Sequence, residues 1–476
     1  MLNENPAFIP KLPLTARKGP ALAWLVAFLL CLAVTVPEAE LFRIFANALF
    51  LLLIFTFLAY FCGKRVIGRD LTNRETYLVA ALSVLYIAGS ALVSGFYAEP
   101  IPVAVVLPTA LVMMLPSILI HPRLALILAT TLPLGAFLTG SFDTPSYIFA
   151  VVSGVVAAYS LQKAEKRMDL IKAGLIIAAA NLVVMTAILL WKYVSSAPVP
   201  PGIHLVSLIW ALFNGMACGM LVLGALPPLE HALNAATTFR LIELSDLNAP
   251  MLKKLFMTAP GTYSHSIMVA NLAEAACQDI GANSILARVG SYYHDLGKME
   301  NPGYFVENQE HYNPHDDMAP RLSATVIRSH VKLGMEKARQ LKLPLEVIDI
   351  IGEHHGNSVI TWFYSKALEQ ESNKGPVSIE DFCYPGTPPR SRESAVVMLA
   401  DMAEAAVKSM DKPTAVKIEK FVRELIGKKV ESDQLSQSEL TFNDLEKIKN
   451  AFVRVLTGYY HSRIEYPKIN EEVQGK

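Results

Sequence analysis

The chain has 476 residues, of which 53% are hydrophobic and only 18% charged, with 42 basic against 42 acidic side chains. A mean hydropathy of +0.36 is too high for an ordinary soluble protein. Zero net charge, with no basic stripe interleaved with aromatics, argues against a nucleic-acid partner. Five cysteines (Cys31, Cys62, Cys218, Cys277 and Cys383) form no CxxC pair, which excludes a disulfide framework or zinc ribbon and leaves them as reduced structural residues.

Residues 1–18 read as a basic cytoplasmic tail, and residues 19–228 carry the apolar excess. Crossing about 30 Å of hydrocarbon takes about 20 apolar residues. Eight stretches qualify, near 19–36, 41–62, 76–95, 101–120, 124–141, 145–161, 172–191 and 205–226. Lys and Arg fall in alternate loops: the N-terminal tail, then Lys64, Arg65, Arg69 and Arg74, then Arg123, then Lys163, Lys166, Arg167 and Lys172. The intervening loops PEAE, YAEP, FDTP and SSAPVPP are nearly free of both, so both termini are expected on the cytoplasmic side. The first span is too long for a signal-peptide core and no small-residue cleavage site precedes PEAE, so it reads as an uncleaved helix. Span centres hold isolated polar groups such as Asn181 and Asn214 rather than charges, which favours an anchor or sensor over an ion-coupled transporter.

Residues 229–259 read as a connecting surface helix interrupted at Pro250. Beyond it, charge and helical periodicity are those of a globular domain. Eleven histidines are present and seven lie between residues 265 and 355. A single His on an apolar helix face is ordinarily a hydrogen-bonded core residue. Here His265, the pair His294 and Asp295, His330, the pair His354 and His355, and Asp401 all fall in apolar helical stretches. Helix neighbours diverge by about 100°, so each adjacent pair can face one cleft only where that cleft wraps around a helix end. Imidazoles with carboxylates and no thiolates suit a first-row divalent metal rather than a structural zinc site. The segment "YYHDLGK" adds Lys298 one short turn on, with Gly297 suited to a sharp helix end. A long loop, "NPGYFVENQEHYNPHDD", follows and reads as functional or floppy. Gly-rich phosphate cradles are absent, and Ser264 and Ser266 beside His265 call for no Ser-His-Asp triad. The stretch from Thr441, a plausible helix cap, reads as packing, with His461 its one polar residue near the site.

His, then His-Asp, then a distant Asp resembles the ligand order of the HD-domain phosphohydrolases, and the added His330, His354 and His355 resemble the two-metal form. "APGTYSHSIMVANLAEAA", "HDLGKMENPGYFVENQ", "NPHD", "EHHG" and "VLTGYYHSRIEYP" further resemble the seven-transmembrane receptors with an intracellular HD domain. The resemblance covers nearly all of residues 240–466 and, more loosely, the membrane half. It implies an all-α chain: a polytopic bundle followed by a cytoplasmic helical phosphohydrolase over 260–466 and a tail over 467–476. It implies a bacterial inner-membrane location and hydrolysis of cyclic di-AMP to linear pApA by a hydroxide between two divalent ions, Mn or Fe. Carried over by position, one ion would take His265, His294, Asp295 and Asp401, and the other His330, His354, His355 and the bridging Asp295. Lys298, and in the following loop Tyr304, Asn308 and Asn313, would contact substrate. The expected partners are the cyclic dinucleotide and membrane lipid, and a homo-oligomer is left open. The family commonly carries a large extracellular domain after its first span, where this chain has only PEAE. Alternatives are HD hydrolysis of cyclic di-GMP, guanosine tetraphosphate or dNTPs, and a membrane nucleotide receptor without turnover. "GNSVITWFY" in place of a GYP signature after the His pair demotes cyclic di-GMP.

Overall fold

In hydrocarbon every backbone N–H and C=O has to be bonded within its own segment or to a buried neighbour, which makes helices of apolar runs. The computed structural model describes residues 18–36, 41–96, 102–162, 164–195, 201–309, 311–371, 376–411 and 413–460. Among them no strand forms, only an isolated antiparallel bridge between Val359 and Cys383. The chain divides into two compact units, Met1–Phe239 and Arg240–Lys476.

The first unit runs α1 (Lys18–Thr35), α2 (Leu41–Phe61), a short α3 (Lys64–Ile67), α4 (Asn73–Phe96), α5 (Thr109–Leu119), α6 (Pro122–Leu138), α7 (Thr144–Ser160), α8 (Arg167–Ser195) and α9 (Pro201–Leu233). Apolar helices thus occupy all eight expected places. Four of them, α2, α4, α8 and α9, are long and apolar enough to cross a membrane. Their outward faces are apolar too, as at Leu49, Leu52 and Leu53 of α2, which suits contact with lipid.

One expected span is corrected. The stretch 101–120 is α-helical only over the 11 residues of α5, about 16 Å of rise. Pro102 and Pro108 bracket a 3-10 turn before it, Val103–Val105, because proline offers no N–H to a continuing helix. The freed carbonyls are met from α9: Asn214 Nδ2 donates to Val105 O at 2.9 Å and to Leu107 O at 2.8 Å. The polar group that looked isolated in the sequence closes this break.

The second unit begins inside the expected connector, which is no single helix. Asn234 turns the chain at φ 56°, α10 (Thr238–Leu244) follows, and Pro250 opens α11 (Pro250–Thr258). Arg240 hydrogen-bonds the Lys342 carbonyl, Tyr293 Oη donates to Leu244 O at 3.1 Å, and Leu252 and Leu255 are buried, so from Arg240 onward this stretch packs as part of the globular unit. Next come α12 (Pro260–Ile280), α13 (Ser284–Tyr293), α14 (Pro320–Gln340), α15 (Leu345–Glu353), α16 (Thr361–Glu371), α17 (Arg392–Lys408), α18 (Ala415–Glu431) and α19 (Phe442–Tyr460). α12 is the central helix, with α13, α17 and α19 packed around it. Its buried Val269, Leu272, Ala273 and Ala276 recur at helical spacing and turn one apolar stripe inward. Val347, Ile348, Ile350 and Ile351 bury α15 in the same way, each worth about 1.5–3 kcal/mol. Caps fix the helix starts near the site: Asn283 Oδ1 accepts from Leu286 N at 3.0 Å, and Ser391 Oγ from Ser394 N at 3.1 Å.

Candidate metal centre

Five helices and the turns that end two of them bring the polar residues together. His265 stands on α12 and His330 on α14, Asp401 lies on α17, and His294 and His354 sit at the C-caps of α13 and α15. Both adjacent pairs therefore occupy helix ends, where the backbone turns and the second residue swings toward the first residue's cleft. Gly356, at φ 56°, completes the turn after His355.

Asp295 lies at the middle. Its Oδ2 is 3.2 Å from His294 Nε2 and 3.8 Å from His265 Nε2, while its Oδ1 is 3.4 Å from His330 Nε2 and 3.7 Å from His354 Nε2. Asp401 Oδ1 is 3.0 Å from His265 Nε2, and its Oδ2 is 3.6 Å from His355 Nδ1. Two sets of donor atoms that could hold one ion each are His265, His294 and Asp401, and His330, His354 and His355. A third, His294, Asp295 and His354, overlaps both.

The tautomers suit cations. The Nδ1 of His294, His330 and His354 donates to the carbonyls of Ser291, Ile327 and Ile351 at 2.7, 2.6 and 2.8 Å. His265 Nδ1 meets Glu404 Oε2 at 2.5 Å. A carbonyl accepts only from an N–H, so whenever one of the first three rings is neutral its Nε2 carries the lone pair, toward the centre. His330 Nε2 and His354 Nε2 are 3.2 Å apart, two lone pairs aimed at one another. His294 Nε2 and both Asp295 oxygens are buried without a hydrogen bond among the described residues. Buried polar atoms are rarely left so, and a divalent ion on each side of Asp295 would satisfy all of them.

Electrostatics separates the rings. Burial alone would lower His265, but Asp401 and Glu404 outweigh it and hold it at about 9. Asp295 does the same for His294, at about 10. At the other three rings burial prevails over Asp295 and Asp401, lowering His330 and His355 and taking His354 to about 3. Burial would raise Asp295, yet His294 and Lys298 hold it well below the usual carboxylate range.

Lys298 reaches the site, its Nζ 2.8 Å from both Asp295 Oδ2 and Glu307 Oε1. The loop residues do not. Tyr304 lines a separate surface cavity with Glu300 and Asp317 and accepts from His315 Nε2 through its carbonyl at 2.9 Å. Asn308 Oδ1 accepts from Gly261 N and Thr262 N at 2.9 and 3.2 Å, capping α12 in place of Ala259, whose side chain has no oxygen. Asn313 Oδ1 accepts from His315 N at 3.1 Å and caps the turn Pro314–Asp317. None of the three lines the cleft beside the centre, and the side-chain oxygens of Asn308 and Asn313 are engaged as caps. His461 lies outside the described residues.

Gly297 also has another reason than the expected one. Its φ is not positive; instead a Cβ there would lie 1.9 Å from His330 O and 2.7 Å from Gly334 N. Close approach of the turn after Asp295 to α14 sets His330 against Asp295. Sequence reasoning passed over Glu404, Glu307, Phe305 and Tyr384. Glu404, one turn after Asp401, was available as a D-x-x-E spacing; Tyr384, stacked on His355 at 4.2 Å, had no local signal. A cleft of about 490 Å³ opens beside the centre, lined by His265, His330, His355 and Asp401 and by Phe305 and Tyr384.

Comparison with known proteins follows the same division. The family described as "7TM receptor with intracellular HD hydrolase" matches residues 41–237, which hold α2 and α4 to α9, and the HD domain matches residues 262–406. The cyclic-di-AMP phosphodiesterase PgpH of Bacillus subtilis is 37% identical over 425 residues, 88% of this chain and 59% of that protein. PgpH of Listeria monocytogenes is 35% identical over 368 residues, 77% of this chain and 50% of its own length. The chain thus spans about half to three-fifths of these relatives. The crystal structure of the L. monocytogenes PgpH HD domain with cyclic-di-AMP is 43% identical, covers 46% of this chain and 100% of its own, and superposes with a TM-score of 0.43. With both halves matched in this order, the chain belongs to the family of seven-transmembrane receptors with an intracellular HD hydrolase domain.

Proposed function

We propose that the protein is a membrane-anchored, metal-dependent phosphodiesterase that opens cyclic di-AMP to linear pApA on the cytoplasmic face of a bacterial inner membrane. The observation that carries this reading is Asp295, with one oxygen toward His265 and His294 and the other toward His330 and His354, and with no hydrogen bond to either oxygen or to His294 Nε2 among the described residues. Two divalent ions of the manganese or iron class, when bound, would supply Lewis acidity and lower the pKa of water. His265, His294, Asp401 and Asp295 would hold one, and His330, His354, His355 and Asp295 the other. The substrate agrees with the names of the relatives.

The chain's own residues do the rest. Glu404 and the three backbone carbonyls fix the direction of four rings, so the donor set is preorganised. Lys298 donates to Glu307 and forms an ion pair with Asp295, and of its three N–H donors one remains for the cleft it lines, where a phosphate oxygen can accept it. Phe305 and Tyr384 give that cleft a flat apolar wall for a purine. Hydrolysis adds the water oxygen to one phosphorus and returns a proton to the departing ribose oxygen. By domain, residues 19–228 would anchor, 229–259 connect and 260–466 hydrolyse. The test is release of linear dinucleotide by the full chain in nanodiscs with Mn(II), beside Asp295→Asn and a cyclic di-GMP control. Turnover of cyclic di-AMP that vanishes in the variant is expected; a folded, metal-loaded chain that leaves cyclic di-AMP intact would overturn the assignment.

A further inference from the structure

A cyclic dinucleotide carries two anionic phosphodiesters, and the metal centre accounts for the one that is cut. We propose that Lys408 binds the other, an inference that rests on the cyclic-dinucleotide reading above. Lys408 is the last residue of α17, seven residues after Asp401 and four after Glu404, which places all three on one helix face. It is exposed, and it lines the cleft beside the metal centre. It also lines a second cavity of about 690 Å³, to which Met268, Tyr459 and Tyr460 contribute. His265 and Glu404 border both cavities, so Lys408 stands at the junction of two chambers, each with tyrosine in its wall.

Charge accounting singles it out. Among the described residues lining the two cavities, the ammonium groups are Lys298 and Lys408. Lys298 is held by Asp295 and Glu307 at 2.8 Å each. Glu404, the anion nearest Lys408 along the helix, is engaged by His265 Nδ1. A dinucleotide with its scissile phosphate at the histidines and a base in each chamber brings its second phosphate to the junction, where Lys408 supplies the positive charge. The rival role for this lysine is structural, since a cation in the last turn favours the helix dipole.

The experiment compares Lys408→Ala and Lys408→Arg with the unsubstituted full chain in nanodiscs. Two substrates are used: cyclic di-AMP, and bis(p-nitrophenyl) phosphate, which has a single diester. In Lys408→Ala the ratio of kcat/KM for the first over the second is expected to fall about tenfold, through KM, and Lys408→Arg to recover most of it. Binding of a phosphorothioate cyclic di-AMP analogue is followed at low and high salt, and its salt dependence is expected to weaken in the alanine variant. Equal loss on both substrates, or an unchanged ratio beside a lowered Tm, would overturn the proposal in favour of the helix-end role. Failure of the unsubstituted chain to open cyclic di-AMP would strike the parent reading alone, and the salt-dependent analogue binding would still decide for or against Lys408.

Discussion

A carboxylate has two oxygens, and at Asp295 each faces a different set of rings, so this one residue decides whether the two sets form one centre. The rings themselves are held from behind. Glu404 is the one charged group in that role, at 2.5 Å from His265 Nδ1. Glu404→Ala is expected to weaken metal binding about 10–100-fold, as loss of such orienting partners does, measured as metal occupancy against a competing chelator. Protons compete for the same lone pairs. His265 at about 9 and His294 at about 10 hold a proton at neutral pH in the metal-free chain, through Asp401, Glu404 and Asp295. A histidine raised above its usual 6.5 contributes stability that is fully present below 6.5 and is lost as pH climbs through its folded value. The metal-stripped domain should therefore lose thermal stability between about pH 6.5 and 10, while Mn(II) affinity rises over the same range because fewer protons have to leave. Parallel changes of the two quantities would contradict this competition. The seven side chains that gather here were readable in the sequence because residue type and chain order single them out. Tyr384 was not, since its place beside His355 exists only through a contact across the fold, and Glu404 showed only as a D-x-x-E spacing whose partner, His265, lies on another helix.

Helices were legible wherever periodicity and caps agree. The expected cap at Thr441 is present as a reciprocal pair: Thr441 N donates to Asp444 Oδ2 at 3.0 Å, and Asp444 N to Thr441 Oγ1 at 3.2 Å. Gly297 was noticed for the wrong reason, because the backbone of α14 that excludes a side chain there lies 33 residues further along at His330 and cannot be seen locally. These two positions make a matched test. Thr441→Ala should cost about 1 kcal/mol of stability while turnover per folded molecule is unchanged, for α19 touches the site through neither residue. Gly297→Ala has to push a turn away from α14, at about 1–3 kcal/mol, and should also lower metal occupancy because His330 moves with that helix. Denaturant titration of each variant, read beside its bound metal, checks both. An occupied centre in Gly297→Ala would mean that the turn yields without moving His330.

At the scale of the whole molecule the sequence placed eight apolar helices and a globular half, and misjudged where backbone polarity has to be met. Pro102 and Pro108 foretell a break before α5, yet the partner that closes it, Asn214, lies on α9 over 100 residues away. Asn214→Leu should destabilise the membrane half by about 1–2 kcal/mol, read by unfolding in detergent. Orientation rests on a different signal, the alternation of basic loops, from which residues 64–74 and the C-terminal half are expected inside and the loop before α7 outside. The native cysteines allow a direct reading. Cys31, Cys62, Cys218 and Cys277 are buried, whereas Cys383 in the globular half is partly exposed. Thr144, exposed at the start of α7, offers a counterpart outside. A membrane-impermeant maleimide should therefore label Cys383 in inside-out vesicles only. In a Cys383→Ser background, Thr144→Cys should be labelled in right-side-out vesicles only. Labelling of Cys383 from outside would put the histidine centre across the membrane from cytoplasmic nucleotides and would remove the substrate with it.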